Sequence, residues 1–398
     1  MDKSKEVLII GGGISGLGMA VQLKRLLGHK DFTLYEKSDN IGGTCFALKG
    51  DWSTTYPGRP ELYEYFASVA ERFRILPHCR FNSTCLSMVW DESTALWTCT
   101  FRNELTGEMF THTAPVVVSA VGTPDRPLVP QIAGANDFQG RTFHSARWDS
   151  TADFKGKNVV VLGNGASATQ FVPELVKEVG PNGSVVQLVK NTIIYATGFQ
   201  TQKLLQPMEV QGVGGKTIHE VWDASGGAEA YKGTVVTGFP NFFILYGPNA
   251  ATGQHSVIFH SECHINYSCR LLRPVLVGGA RSIMVKPEAQ RRDLTWVHGK
   301  LQNLVFNSSC QSWWMDPSIK KNTFIYPDLM YKYWLRTIFP VWSDFAINGA
   351  PRQSGWKRNV AALLSLGIGA FAVSSAVDNG ALVEAIHRWV KEAVALVQ

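Results

Sequence analysis

Glu6-Val7-Leu8-Ile9-Ile10-Gly11-Gly12-Gly13-Ile14-Ser15-Gly16 is the stretch that decides the fold. Its apolar run has the length of a buried strand, passes without a break into glycines, and is followed by amphipathic residues 17–27 that predict a helix. Gly11, Gly13 and Gly16 satisfy G-x-G-x-x-G. The first glycine makes the tight turn, the second lets backbone approach a pyrophosphate, and the third lets helix pack on strand. The helix N-terminus offers N–H groups without intrahelical partners, and its dipole favours an anion there. A second strand, Phe32-Thr33-Leu34-Tyr35, ends at Glu36, whose carboxylate can accept hydrogen bonds from a ribose diol. Strand, glycine turn, helix, strand and acid in this order predict an α/β, Rossmann-like site for an adenine dinucleotide. A glycine-rich structural turn is the plain alternative.

A chain of 398 residues, 45% hydrophobic and 18% charged, can bury the cores of two or three domains. The formal net charge of +6 is spread out, and no basic run interleaved with aromatics marks a nucleic-acid surface. No nucleic-acid partner is expected. Seven cysteines without a C-x-x-C pair argue against a disulfide framework and against a zinc site, so no metal is expected and a reducing, cytoplasmic compartment fits. The first strand begins too close to the N-terminus to leave room for a secretory signal.

Further along, residues 60–73 read as a helix, with Leu62, Phe66, Val69 and Phe73 on one side. Residues 81–101 read as a hairpin about Asp91-Glu92-Ser93, 115–122 as a buried strand, and 123–130 as the start of a linker. Residues 158–162 form a second apolar strand, which opens Gly163-Asn164-Gly165-Ala166-Ser167-Ala168, with alanine in the third place as the motif permits. Residues 169–179 continue as a helix with Pro173 near the first turn, where proline is tolerated. The next strand, 185–189, ends at Lys190, a base where the first unit has an acid. A ribose 2′-phosphate suits a lysine, so NADPH is favoured over NADH; a solvated strand end is the alternative.

Four stretches carry a resemblance. Glu36 is followed by Gly42-Gly43-Thr44. Phe138-Gln139-Gly140-Arg141-Thr142-Phe143-His144-Ser145-Ala146-Arg147-Trp148-Asp149 fits F-x-G-x-x-x-H-x-x-x-W-[P/D]. Asn191-Thr192-Ile193-Ile194-Tyr195-Ala196-Thr197-Gly198-Phe199 is similar to D-x-I-I-Y-A-T-G-F, and residues 237–249 to a returning strand that ends in Gly247-Pro248-Asn249. Together they resemble the class B flavoprotein monooxygenases, the flavin-containing and Baeyer–Villiger enzymes, in a fungal-like form. The resemblance implies a two-dinucleotide-binding FAD/NAD(P) fold in which NADPH reduces FAD and the reduced flavin activates O2. One oxygen atom then passes to a ketone or soft heteroatom of a small molecule, as in secondary metabolism. It implies that Gly11, Gly13, Ser15, Gly16, Glu36, Gly43 and Thr44 hold FAD, with Asn249 in the turn beside the flavin. It gives Gly163, Asn164, Gly165, Ser167, Ala168 and Lys190 to NADPH, and His144 to coupling between the nucleotide domains.

The chain departs from that family in two places. Thr44 is followed by Cys45-Phe46-Ala47-Leu48 instead of tryptophan, and Tyr56-Pro57-Gly58 leads directly to Arg59-Pro60-Glu61, which leaves out a flavin-facing segment. Asn191 stands where the family has aspartate, and strand 185–189 runs almost directly into 191–199, where relatives interpose further strands and helices. The expected organisation is a first part of the FAD domain (1–157), a shortened NADP-binding βαβ unit (158–192), a returning FAD part with an aromatic-rich C-terminal region (193–345), and a tail (346–398). The aromatic cluster, including Trp313, Trp314, Tyr326, Tyr331, Tyr333, Trp334 and Trp342, reads as core and lid packing. In the tail, residues 359–377 carry no charge and are just long enough to span a bilayer. A membrane anchor, a small-residue helix packed on the domain and an unstructured tail are the alternatives, with an amphipathic helix about Leu382, Ile386 and Trp389 beyond. Three functional readings stand open: a working monooxygenase, an FAD-binding accessory that does not oxygenate, and an inactive shortened homologue.

Overall fold

The first strand lies where the glycine motif places it. β1 (Val7–Ile10), α1 (Ile14–Leu27) and β2 (Phe32–Tyr35) are followed by α2 (Arg59–Arg72) and β3 (Cys79–Arg80). A meander comes next, β4 (Ser83–Asp91), β5 (Leu96–Asn103) and β6 (Met109–Ala114), and then β7 (Val116–Ser119). A second unit holds β8 (Arg141–His144), β9 (Asn158–Leu162), α3 (Ala166–Val179), β10 (Ser184–Val186) and β11 (Thr192–Tyr195). The chain returns through β12 (Glu209–Gln211), α4 (Ile218–Ala224), β13 (Phe242–Ile244), α5 (Val257–Leu276), β14 (Ser282–Val285) and α6 (Pro287–Leu301). It ends in β15 (Met315–Asp316), β16 (Lys321–Asn322), α7 (Met330–Ile338) and β17 (Phe345–Asn348). This computed structural model describes residues 5–43, 59–123, 126–186, 192–251, 256–307, 314–316 and 321–349. All belong to the first of two units, Met1–Gly349 and Ala350–Gln398. Thr44, Lys190, Trp313 and the apolar segment 359–377 lie outside the described residues.

The main sheet has the order β13-β7-β1-β2-β3, and every pairing in it is parallel. Its central strands β1 and β7 are buried at every position, apolar except for Ser119, because both faces are covered. Val7, Ile9, Val116 and Val118 pack with α1 and α5, whereas Leu8, Ile10, Val117 and Phe242 pack with Trp97, Phe101 and Met88 of the meander. Trp97 is fully buried and donates its indole N–H to the Pro240 carbonyl at 2.8 Å. Of the stripe expected on α2, Phe66 lies in the core, and Val69 and, just past the helix, Phe73 pack against it.

The second sheet has the order β10-β9-β11-β8, again all parallel. β11 lies between β9 and β8, so the sheet runs from Arg141 to Tyr195 and reaches beyond the motif on both sides. One face is covered by α3, whose Ala168, Leu175 and Val179 meet Val159, Val161 and Ile194. Pro173 stands inside α3, not at its first turn, because the helix already starts at Ala166. Its missing N–H leaves that turn one hydrogen bond short.

A buried polar network ties α5, α6 and α7 to the segment at 231–233. Tyr231 donates its hydroxyl to Asp344 Oδ2 at 2.7 Å, the Lys232 amide donates to Asp293 Oδ2 at 3.0 Å, and Arg336 pairs with Asp293. Tyr333, fully buried, donates to the Lys232 carbonyl and meets His264, whose imidazole burial pushes down to about 3. The Lys232 ammonium sits over the Tyr231 and Tyr267 rings, and its pKa is pushed down to about 8 by burial and then by Arg336, with Asp293 and Asp344 opposing. A folded pKa below the unfolded one means that the folded chain binds fewer protons between about pH 8 and 10.4. Stability from this group therefore rises with pH through that window, and the cost of burying the charge is full below it. Between pH 7 and pH 9 the gain is about 1 kcal/mol. Urea titrations at the two pH values are expected to show this gain in the wild type and to lose it in Lys232→Met.

Candidate dinucleotide sites

In the first glycine turn the geometry is set by close approach. Gly11 has φ +109°, and a Cβ there would come within 2.6 Å of the Ala120 carbonyl oxygen. At Gly16 a Cβ would come within 1.9 Å of the Gly11 carbonyl oxygen, so only glycine lets α1 sit this close to the turn. Gly13 is different: the nearest atom to its Cβ would be Gly43 Cα at 3.6 Å, and Gly13 caps α1 without a side-chain hydrogen bond. The helix N-terminus thus keeps donors for an anion. Glu36 is buried and accepts from the Gly12 amide at 2.6 Å through Oε2 and from the Ser38 amide at 2.9 Å through Oε1. Gly42 donates to the Gly12 carbonyl at 3.0 Å, which brings the Gly43 turn onto the loop. Gly11, Gly13, Gly16, Glu36 and Gly43 are therefore assembled in one place. Ser15 instead turns to α5, where its hydroxyl donates to Ser261 Oγ at 3.0 Å.

The second turn repeats the first. Gly163 has φ +116°, and its Cβ would come within 2.4 Å of the Ala196 carbonyl oxygen. Ala196 donates its amide to the Leu162 carbonyl at 2.8 Å, just as Ala120 donates to Ile10 at 2.7 Å. β11 thus does for the second motif what β7 does for the first: each is followed directly by Ala-x-Gly, and each alanine closes the glycine turn of the neighbouring strand. The signal was in the sequence, as Ala120-Val121-Gly122 and Ala196-Thr197-Gly198, although it is legible only when the two strands are placed. Gly165 caps α3, and a Cβ there would meet nothing within 4 Å. Asn164 is exposed, Ser167 half-buried and Ala168 in the core beneath.

His144 ends β8 opposite Tyr195 of β11. Its Nδ1 accepts from the Ala146 amide at 3.0 Å, its ring lies edge-on to Phe199, and burial holds its pKa below the ordinary imidazole value, with the Gly198 backbone opposing. Asn249 is buried after β13. Its Nδ2 donates to the carbonyls of Asn322 and Ile325 at 3.0 and 3.1 Å, which clamps the segment after β16. The sequence reading also missed Gly18, whose Cβ would come within 2.8 Å of Ile265 Cδ1 and which sets the approach of α5 to α1. Five described cysteines are free and buried, and burial pushes the Cys79 thiol up to about 11. Among the described residues no group of three or more His, Cys, Asp or Glu is placed to hold a metal ion, and no helix is long and apolar enough to cross a membrane.

Residues 5–238 match the family described as pyridine nucleotide-disulphide oxidoreductase. A Baeyer-Villiger monooxygenase of Streptomyces coelicolor is 26% identical, over 88% of this chain and 94% of that protein. The FAD-binding monooxygenase ktnD of Aspergillus niger is 25% identical, over 86% and 82%. The chain belongs to this family as a class B flavoprotein monooxygenase. Among solved structures, a steroid monooxygenase bound to NADP superposes with a TM-score of 0.74 at 19% identity, covering 86% of this chain and 99% of that one. A closed cyclohexanone monooxygenase gives 0.76 at 17%, covering 87% and 99%, and both likenesses concern the fold. Both glycine cradles fit a dinucleotide, since each has main chain where a Cβ would stand. The Streptomyces alignment is 499 positions long against a chain of 398, so that relative carries segments with no counterpart here. The monooxygenase scaffold is therefore present in shortened form.

Proposed function

We propose that this chain transfers one oxygen atom from O2 to a ketone or soft heteroatom of a small organic substrate, in secondary-metabolite biosynthesis. NADPH consumption then yields water, NADP+ and the oxygenated product. FAD supplies the activation of O2 and NADPH the reducing equivalents. Gly11, Gly13 and Gly16, with the N-terminus of α1, hold the FAD pyrophosphate, and Glu36 takes the ribose while it ties Gly12 and Ser38. Gly43, Thr44 and, through its amide at the start of α1, Ser15 complete the FAD set in this reading, and Asn249 fixes the turn that follows β13. Gly163, Asn164, Gly165, Ser167, Ala168 and Lys190 hold NADPH. His144 holds β8 against the exit from β11 and so couples the two nucleotide units. The observation that carries this reading is the duplicated Ala-x-Gly closure, which gives the shortened unit the same glycine cradle as the FAD unit.

A flavoprotein that binds FAD without oxygenating is favoured by one observation: the relatives' extra segments have no counterpart in this chain. Purified protein incubated with NADPH, 18O2 and a panel of ketones and thioethers decides between the two. Labelled product with matching NADPH consumption supports oxygenation, and retained flavin without labelled product supports the second reading.

Gly165→Ala gives a cleaner test of the nucleotide assignment than Gly163→Ala. A Cβ at Gly165 meets no protein atom, so stability is expected to change by less than about 1 kcal/mol. The same Cβ stands where a pyrophosphate must approach, and NADPH is expected to bind at least about tenfold more weakly, with FAD retained. NADPH titration of the flavin-loaded variant reads this out.

A further inference from the structure

The short helix α7 shows its apolar stripe to solvent. Tyr331, Trp334 and Leu335 are 55%, 48% and 55% exposed at helical spacing, while Tyr333 and Thr337 face inward. The stripe continues past the helix through Phe339, Val341 and Trp342, all exposed. Contiguous apolar surface of this kind marks an interaction site.

The ion pairs at its two ends turn their bases, not their acids, to solvent. Asp328, just before the stripe, shows 9% of its side chain and is covered by Lys300 and Lys332, which show 43% and 44%. Asp344, just after it, shows 10% and is covered by Arg292, which shows 65%. Lys286, also exposed, donates to the Ser343 carbonyl at 2.8 Å. At both ends the acids are sunk and the bases stand outward. Trp and Tyr among aliphatic residues, rimmed by lysine and arginine, is the composition of an element that lies in a membrane interface. Exposed bases are drawn to anionic lipid.

We propose that the α7 face, from Tyr331 to Trp342, is a docking surface for an anionic bilayer. The contact is peripheral and reversible, and it is independent of the oxygenation reading. The full-length protein is mixed with sedimentable vesicles of phosphatidylcholine alone or with phosphatidylserine added, and bound protein is measured. Binding is expected only with phosphatidylserine and is expected to fall as salt is raised. Trp334→Glu/Leu335→Glu is expected to bind about tenfold more weakly or worse, since two apolar anchors are lost and like charge is added. Both positions are exposed, and thermal melts confirm that the variant folds. Lys300→Glu/Lys332→Glu, which leaves the apolar stripe intact, is expected to weaken binding as well. Unchanged binding in both variants would place any membrane contact elsewhere in the chain and overturn the proposal. So would a wild type that ignores vesicles and forms a dimer that Trp334→Glu/Leu335→Glu dissociates, because the face would then belong to a second copy.

Discussion

Gly16→Ala is expected to yield a protein that is purified without its yellow cofactor. The added methyl would stand 1.9 Å from the Gly11 carbonyl oxygen, which is main chain and cannot rotate away. Either α1 lifts from the turn or the turn opens, and both movements carry the helix N-terminus away from the pyrophosphate. Overpacking of this kind costs about 3 kcal/mol, and the lost cofactor removes further stabilisation by mass action. The flavin absorbance per mole of protein and the urea midpoint are both expected to fall. Gly13→Ala makes the comparison informative, since its Cβ would find Gly43 Cα at an ordinary 3.6 Å. That variant is expected to keep its fold and lose affinity for FAD.

Asp293→Ala is expected to destabilise the chain by about 3–5 kcal/mol, because it leaves buried cations without their counter-charge. Asp293 receives both the Lys232 amide and the Arg336 guanidinium, and Arg336 shows only 17% of its side chain to solvent. Arg336 also lies 4.4 Å from the centre of the Trp296 ring, so it cannot swing out to water without breaking that contact. Asp293→Asn keeps one acceptor oxygen but sets an NH2 against the other donor, so it loses the charge and one of the two hydrogen bonds, and its loss is expected to be smaller than that of alanine. The network also reaches the turn that precedes Asn249, since Gly233, next to Lys232, abuts the Pro248 carbonyl there. Urea unfolding of both variants, with flavin content followed in parallel, measures the effect.

What the sequence shows most clearly is what short-range chemistry determines. The β1 run, the three glycines, α1 and Glu36 lie within about one βαβ unit, and Gly11 and Gly16 are required by close main-chain approach within it, so this half of the site could be read directly. The place of β11 could not. Its apolar residues fit either sheet, and only the pairing of Thr192 with both Arg141 and Val159 places it between β8 and β9. Long-range register of that kind leaves no local trace, and the repeated Ala-x-Gly becomes meaningful only after it. Pro173 was misplaced for a simpler reason: the helix starts at Ala166, so the proline falls in its interior. The aromatic region divides in a way composition could not reveal. Tyr326 and Tyr333 are core, as expected, whereas Tyr331, Trp334 and Trp342 face solvent.

The account stands on a shortened second unit that still presents a working nicotinamide nucleotide to the flavin. Anaerobic addition of NADPH to the FAD-loaded protein tests this directly, with the flavin absorbance followed in time. Bleaching of the bound flavin in the wild type, slowed in Gly165→Ala, is the expected result. A protein that retains its flavin and stays fully oxidised in excess NADPH would contradict it.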